Sequence, residues 1–178
     1  MMRYEIRPVA PAEWQRIRAL RLAALQDPVS SMAFGRTFEE ESALSDTVWQ
    51  RRASGAGSQQ FVAIDRDAVR RPDETDGDNG GTWVGMLTVV VERPDYFSVN
   101  AVYLIPETRG TGLAERLFAA AIAWAWDRTD RVYLWVHQDN VRAESFYQRF
   151  GFIRAGETMK YPLNPSETEY EMVLFRDR

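Results

Sequence analysis

The chain has 178 residues, 45% of them hydrophobic and 27% charged, with a formal net charge of −4. This balance fits one globular domain spanning 1–178 and excludes a disordered chain. An acidic chain without a basic run also speaks against duplex nucleic acid as a partner.

Cysteine is absent, which rules out disulfides, thiolate metal sites and a cysteine nucleophile. His137 is the single histidine, so a multi-histidine metal site is ruled out as well, and no metal is expected. No apolar targeting segment precedes Glu13, and no apolar run reaches the roughly 20 residues that span a bilayer. The expected location is the cytoplasm, with no membrane partner.

Taken in order, Tyr4 to Val9 alternates as a first strand, with Pro8 placing it near a sheet edge. Pro11 to Gln26 reads as a helix, with Trp14, Ile17, Leu20 and Ala24 at helical spacing. A loop from Asp27 to Arg36 follows, carrying two apolar residues expected to be exposed, Met32 and Phe34. Thr37-Phe-Glu-Glu40 is a capping box that predicts a second helix to about Ala53. Gln60 to Asp65 is a short strand. The stretch Asp65 to Gly81 is acidic and glycine-rich. It lacks the carboxylate order of a calcium-binding loop and reads as a solvated hairpin insertion. Thr82 to Glu92 is a long strand in which Gly85 marks a bulge or a close approach.

Val99 to Ile105 reads as a strand stopped by Pro106, and Gly110 and Gly112 open an alanine- and leucine-rich helix. Such a turn presents unpaired backbone N–H groups to an anion, and Arg109 adds a positive charge. The strand Val132 to His137, a short helix from Asn140 to Phe150 closed by Gly151, and the strand Phe152 to Tyr161 come next. A loop from Pro162 to Ser166 leads to a last strand, Glu169 to Arg176. The strand–helix–strand unit from Val99 to Val136 requires a parallel pair. The whole predicts one mixed α/β sheet with helices on both faces.

Three phosphate-binding readings compete for this turn, and the plainer alternative is a glycine turn without a ligand. Glu115 stands where a dinucleotide fingerprint needs its third glycine, and no Gly-Lys-Ser/Thr of a Walker loop exists. What remains is Arg-x-x-Gly-x-Ala, met by Arg109, Gly112 and Ala114. Val136, Asn140, Ala143, Tyr147 and Gly151-Phe152 stand at fixed offsets further on.

Together with Leu104-Ile-Pro106, this joint pattern closely resembles the GNAT superfamily of acetyl-CoA-dependent N-acyltransferases. The resemblance implies a mostly antiparallel sheet of about seven strands with a splayed central parallel pair. It implies acetyl-CoA as co-substrate. Main-chain groups of Val102, Tyr103 and Leu104 would hold pantetheine, and an N–H near Leu104 would stabilise the oxyanion. Arg109, Gly110, Thr111, Gly112, Leu113 and Ala114, with Glu115 at the edge, would hold the pyrophosphate. Asn140 would contact pantetheine, and its residue type independently suits a helix cap. Tyr147 would be the general acid for the CoA thiolate. The plainer reading of Tyr147 is an aromatic on the core face of its helix.

The base and the acceptor are less legible. Trp135 replaces the glutamate of protein N-terminal acetylating members, and the strand Ser98 to Ile105 lacks the carboxylate of histone-type members. Strand alternation puts Tyr133, Trp135 and His137 on one face. A histidine ordinarily titrates near neutrality, which makes His137 a candidate base, and the plainer reading is a strand-end histidine bonded to backbone. Glu92, Asp95 and Glu40 are further candidates, and a water chain is another. Phe34, Trp135 and Tyr161 are the candidate substrate residues, beside Met32, Phe38, Trp49, Met159 and Tyr133. The acceptor is expected to be a small-molecule amine or a peptide amine, with a homodimer admitted. Transfer to a protein N-terminus or lysine, and a CoA-binding module without turnover, are the alternatives.

Overall fold

The computed structural model describes residues 3–68 and 81–177. Seven strands form one sheet: β1 (Tyr4–Pro8), β2 (Ser58–Asp65), β3 (Thr82–Arg93), β4 (Tyr96–Leu104), β5 (Arg131–His137), β6 (Ile153–Tyr161) and β7 (Asn164–Phe175). Their order is β1-β2-β3-β4-β5-β7-β6, and every pair except β4–β5 is antiparallel. The mixed α/β sheet expected from the sequence is therefore present, with Pro8 on an edge strand where its missing N–H is harmless.

Helices cover both faces. On one side lie α1 (Trp14–Leu25), α2 (Ser30–Ala33), α3 (Phe38–Ser42) and α4 (Asp46–Ala53); on the other lie α5 (Leu113–Trp126) and α6 (Val141–Phe150). The alternation of β2 separates the two cores. Val62 and Ile64 pack with Ile17, Leu20 and Ala24, whereas Phe61 and Ala63 pack with Leu117, Phe118 and Ala121. Each strand residue thus belongs to the layer its Cβ faces.

The centre of the sheet is irregular for a definable reason. In the β3–β4 ladder Thr88 faces Asn100 and Met86 faces Tyr103, so Ala101 and Val102 stand against Leu87 alone. This is a β-bulge, and Ala101 sits in the left-handed region at φ 54, the one non-glycine to do so among the described residues. The bulge turns β4 away from β5. The parallel pair is registered at Phe97–Val132 and Ser98–Tyr133, and the strands splay beyond that point.

Several sequence expectations are corrected. The helix expected over 37–53 is two helices, because Ser45 adopts extended backbone and starts α4, while the Thr37 capping box is formed as read. The loop after α1 contains the short helix α2, and Phe34 is buried at 4% exposure, its ring packed in the α1 layer. The last hairpin turns tightly at Pro162 and Leu163, so β7 begins at Asn164. The insertion read at 65–81 lies largely outside the described residues.

Gly85 meets both expectations placed on it. The β2–β3 ladder skips Val84 beside it, and a Cβ there would lie 2.3 Å from Leu104 Cδ2 and 3.1 Å from the Tyr103 carbonyl oxygen. Replacing Gly85 by Ala forces overpacking where β4 leaves the sheet. The expected loss is about 1–3 kcal/mol in urea unfolding, with an unchanged m-value.

Candidate functional site

A cleft of about 1020 Å³ runs through the gap opened by the bulge. Its floor is the unpaired edge of β4. Ile105 donates its N–H to Val84, so by strand alternation the main-chain groups of Leu104 and Val102 face the gap. The Leu104 carbonyl accepts Arg109 Nε at 2.9 Å, and its N–H has no partner among the described residues.

The turn after β4 ends the cleft. Gly110 and Gly112 adopt φ 76 and φ 81, conformations that L side chains disfavour. Gly112 is the N-cap of α5. From Gly110 to Glu115 the backbone N–H groups have no acceptor among the described residues, and Arg116 is the first to bond back, to the Gly112 carbonyl. Thr111 is fixed by its hydroxyl, which donates to the Thr108 carbonyl at 2.7 Å. Leu113 buries its side chain in the core at 1% exposure and does not line the cleft. A run of N–H groups at a helix start is an anion cradle.

Arg109 contributes differently from the expectation of a free charge beside the ligand. Its Nη2 lies 2.6 Å from Asp27 Oδ2 and its Nε bonds Leu104, while Tyr103 donates its hydroxyl to the same Asp27 oxygen at 3.3 Å. Burial pushes the Asp27 carboxyl up, but the Val29 N–H and the Arg109 guanidinium outweigh it and hold it below the usual carboxylate range. Arg109 is thus the clamp that ties the end of α1 to the end of β4.

On the opposite wall, Asn140 caps α6 by accepting the Ala143 N–H at 3.2 Å, as its residue type suggested, and its Nδ2 reaches the Met32 carbonyl at 3.5 Å. Tyr147 lines the cleft among Phe118, Phe146 and Phe152. Its hydroxyl has no hydrogen-bond partner among the described residues, and burial pushes its pKa up to about 12.

The remaining candidates separate clearly. Trp135 and Phe34 line the cleft. Tyr161 stands behind the wall: it is 2% exposed, donates its hydroxyl to the Phe34 carbonyl at 2.6 Å and packs edge-on against His137. His137 borders the cleft but has no free nitrogen. Nδ1 accepts the Asp139 N–H at 3.1 Å, which leaves the proton on Nε2, 2.8 Å from Glu167. Glu92 accepts the Ser98 hydroxyl, Asp95 pairs with Arg93 in an exposed turn, and Glu40 is spent on the Thr37 cap. None of these three lines the cleft.

One carboxylate that the sequence reading passed over does. Glu169 of β7 lies opposite His137 of β5 and faces the cleft with no hydrogen-bond partner among the described residues. Burial pushes its carboxyl above the usual range, with His137 acting the other way. The signal available in the sequence was the alternation of Glu167, Glu169 and Glu171, but their register against β5 was not.

With the geometry in view, likeness to known proteins is decisive. The model of the acetyltransferase (GNAT) family matches residues 34–152. The chain belongs to the GNAT family. It is 30% identical over 166 residues to a mycothiol acetyltransferase of Salinispora arenicola, covering 83% of this chain and 53% of that protein. The chain therefore spans about half the length of that relative. It is 33% identical over 130 residues to an L-amino acid N-acetyltransferase of Escherichia coli, covering 69% of this chain and 71% of the relative. Among solved structures, a spermidine N-acetyltransferase of Vibrio cholerae in complex with CoA and spermine aligns with TM-score 0.64 at 15% identity, over 98% of this chain and 96% of that one. At that identity the likeness is one of fold. No described helix is long and apolar enough to cross a membrane.

The clamp in this GNAT chain has a pH signature. Asp27 has a depressed folded pKa, so its contribution to stability is complete above the unfolded value and is lost as pH falls through the folded one. Thermal melts of the wild type and Asp27→Asn should differ most above about pH 4, the ordinary aspartate value, and converge below it. A difference that persists unchanged into strong acid would show that the ion pair is not what stabilises this corner.

Proposed function

We propose that residues 1–178 act as a single N-acetyltransferase domain that moves acetyl from acetyl-CoA to a primary amine of a small molecule in the cytoplasm. The observation that carries this reading is the continuity of two backbone features. The run of unpaired N–H groups from Gly110 to Glu115 abuts the unpaired β4 edge at Val102 to Leu104. One face suits a pyrophosphate, and the other suits an extended arm that pairs as a strand would.

The roles follow from geometry and chemistry. The N–H groups of residues 110–115 hold the pyrophosphate, with Glu115 at the rim. Main-chain groups of Val102 and Leu104 align pantetheine, whereas those of Tyr103, expected to share the role, face β3 in the ladder with Met86; the free Leu104 N–H can stabilise the oxyanion formed when the amine attacks the thioester carbonyl. Asn140 positions the arm from the opposite wall. Tyr147 protonates the departing sulfur. In support, its phenol stays protonated throughout the physiological range and has no competing partner. Glu169 replaces His137 as the base we assign. It accepts the amine's proton, and its raised carboxyl suits that role better than an ordinary glutamate would. The groups facing it are His137, Tyr161, Glu167 and, further along the same strand face, Glu171.

Calorimetry with CoA tests the donor site, and CoA release across an amine panel tests turnover. Binding without release by any amine would leave a CoA-binding module; release with peptide amines alone would give a protein acetyltransferase. Tyr147→Phe should lower kcat by about 10²–10⁴-fold with little change in CoA affinity, and full turnover would remove the acid role. Because the Glu169 carboxyl is raised, activity should fall on the acid side at a pH above the ordinary glutamate value of about 4.3. Glu169→Gln should abolish that limb and reduce kcat; an unaltered profile would assign the limb to another group.

A further inference from the structure

The cleft has a second charged end that acetyl-CoA does not account for. Glu41 of α3 is 2% exposed and accepts two N–H groups from Arg21, at 3.2 and 3.3 Å, and one from Arg52, at 3.1 Å. Burial pushes the Glu41 carboxyl up, but the two arginines outweigh it and hold it below the usual range, so it is ionised. Two guanidinium groups and one carboxylate leave the cluster one positive charge in excess. All three side chains line the cleft.

Arg52 is built for a second carboxylate. Its guanidinium carbon sits 4.9 Å from the Trp49 ring centroid, and Nη1 is fixed by Glu41. Nε and Nη2 have no partner among the described residues, and about a third of the side chain is exposed. A guanidinium held over an indole, with open donors, is a preorganised receptor for a planar anion. An excess charge against low-dielectric walls also favours an anionic guest over a cationic one.

The position separates this receptor from the pyrophosphate cradle. Arg52 is beside Ser58, whose hydroxyl bonds its carbonyl. Ser58 pairs with Val90, and Val90 pairs with Ser98. Leu104, at the cradle, pairs with Gly85, five residues along β3 from Val90, roughly 17 Å at strand spacing. The β4 edge that would carry the thioester lies between the two ends.

From this juxtaposition we infer that the acceptor is a primary amine that carries a carboxylate, an amino acid in the broad sense, with the carboxylate bound at Arg52 and the amine directed toward the β4 edge. This rests on the acetyl-transfer reading and narrows it. Polyamines, and amino acids whose carboxylate is masked as a carboxamide, lack the group that Arg52 would bind.

The test pairs amino acids and ω-amino acids with their carboxamides, and adds spermidine, in a CoA-release assay. The carboxylates should exceed their carboxamides in kcat/KM by about tenfold to a hundredfold. Arg52→Gln should erase most of that ratio, chiefly through KM, and Arg52→Lys should retain part of it. A thermal melt of each variant checks that it folds. Equal or better use of carboxamides, or preference for spermidine, overturns the inference while leaving acetyl transfer intact. Should no amine turn over, binding of N-acetyl amino acids against their amides, measured in the presence of CoA, decides the matter. Carboxylate-selective binding that Arg52→Gln removes supports the receptor; equal binding or none refutes it.

Discussion

One left-handed residue underlies the architecture of this site. Ala101 holds φ 54 in the middle of a strand, a conformation that costs an alanine about 1–2 kcal/mol. The surrounding ladder enforces it. With Thr88 registered to Asn100 and Met86 to Tyr103, the chain must place two residues opposite Leu87. Antiparallel pairing to β3 survives on both sides of the bulge, whereas parallel pairing to β5 does not. The β5-facing backbone groups of β4 beyond Ser98 are therefore left without a ladder partner. In most proteins an unpaired edge in the middle of a sheet would be an unsatisfied liability. Here it is the wall of a cleft whose other features all concern anions and proton carriers.

Those features are divided between the two layers that the sheet separates. The α5 and α6 layer supplies the N–H cradle, the Asn140 cap and Tyr147. The α1 to α4 layer supplies the Arg21–Glu41–Arg52 cluster and the Phe34 wall. On the proposed reading, donor and acceptor meet different parts of the chain, with different chemistry. The donor meets main-chain groups, whose positions depend on glycines and a bulge. The acceptor meets side chains, which can change without disturbing the backbone frame. This division is consistent with a family whose members share a fold at low identity.

How much of this could be read from the residues differs along the same line. The strand, glycine turn and helix from Val99 to Trp124 were legible because periodicity, Pro106 and two glycines all report local backbone. The Thr37 and Asn140 caps were legible for the same reason. Phe34 was not, since exposure depends on what α2 and Tyr161 bring against it from 127 residues away. His137 looked like a base by residue type, and its commitment to Asp139 and Glu167 emerges only from the β5–β7 register. Glu169 was hidden by the same register. Glu41 follows the Thr37 capping box with nothing in its neighbours to mark it, and its burial between arginines of two other helices is a tertiary fact.

The clamp between Asp27 and Arg109 joins residues 82 positions apart. Asp27 lies outside the stretch 34–152 that carries the family signature, yet it holds the arginine that braces the carbonyl of Leu104. The proposed donor site is consequently not a transplantable cassette. The strand, turn and helix that define it on paper would, if excised, keep their glycines and lose the anchor that fixes their orientation. The same contact is non-local, so loop closure over most of the first half of the chain must precede it. A disturbance at the far end of α1 is transmitted to the cradle through this ion pair and the carbonyl it braces.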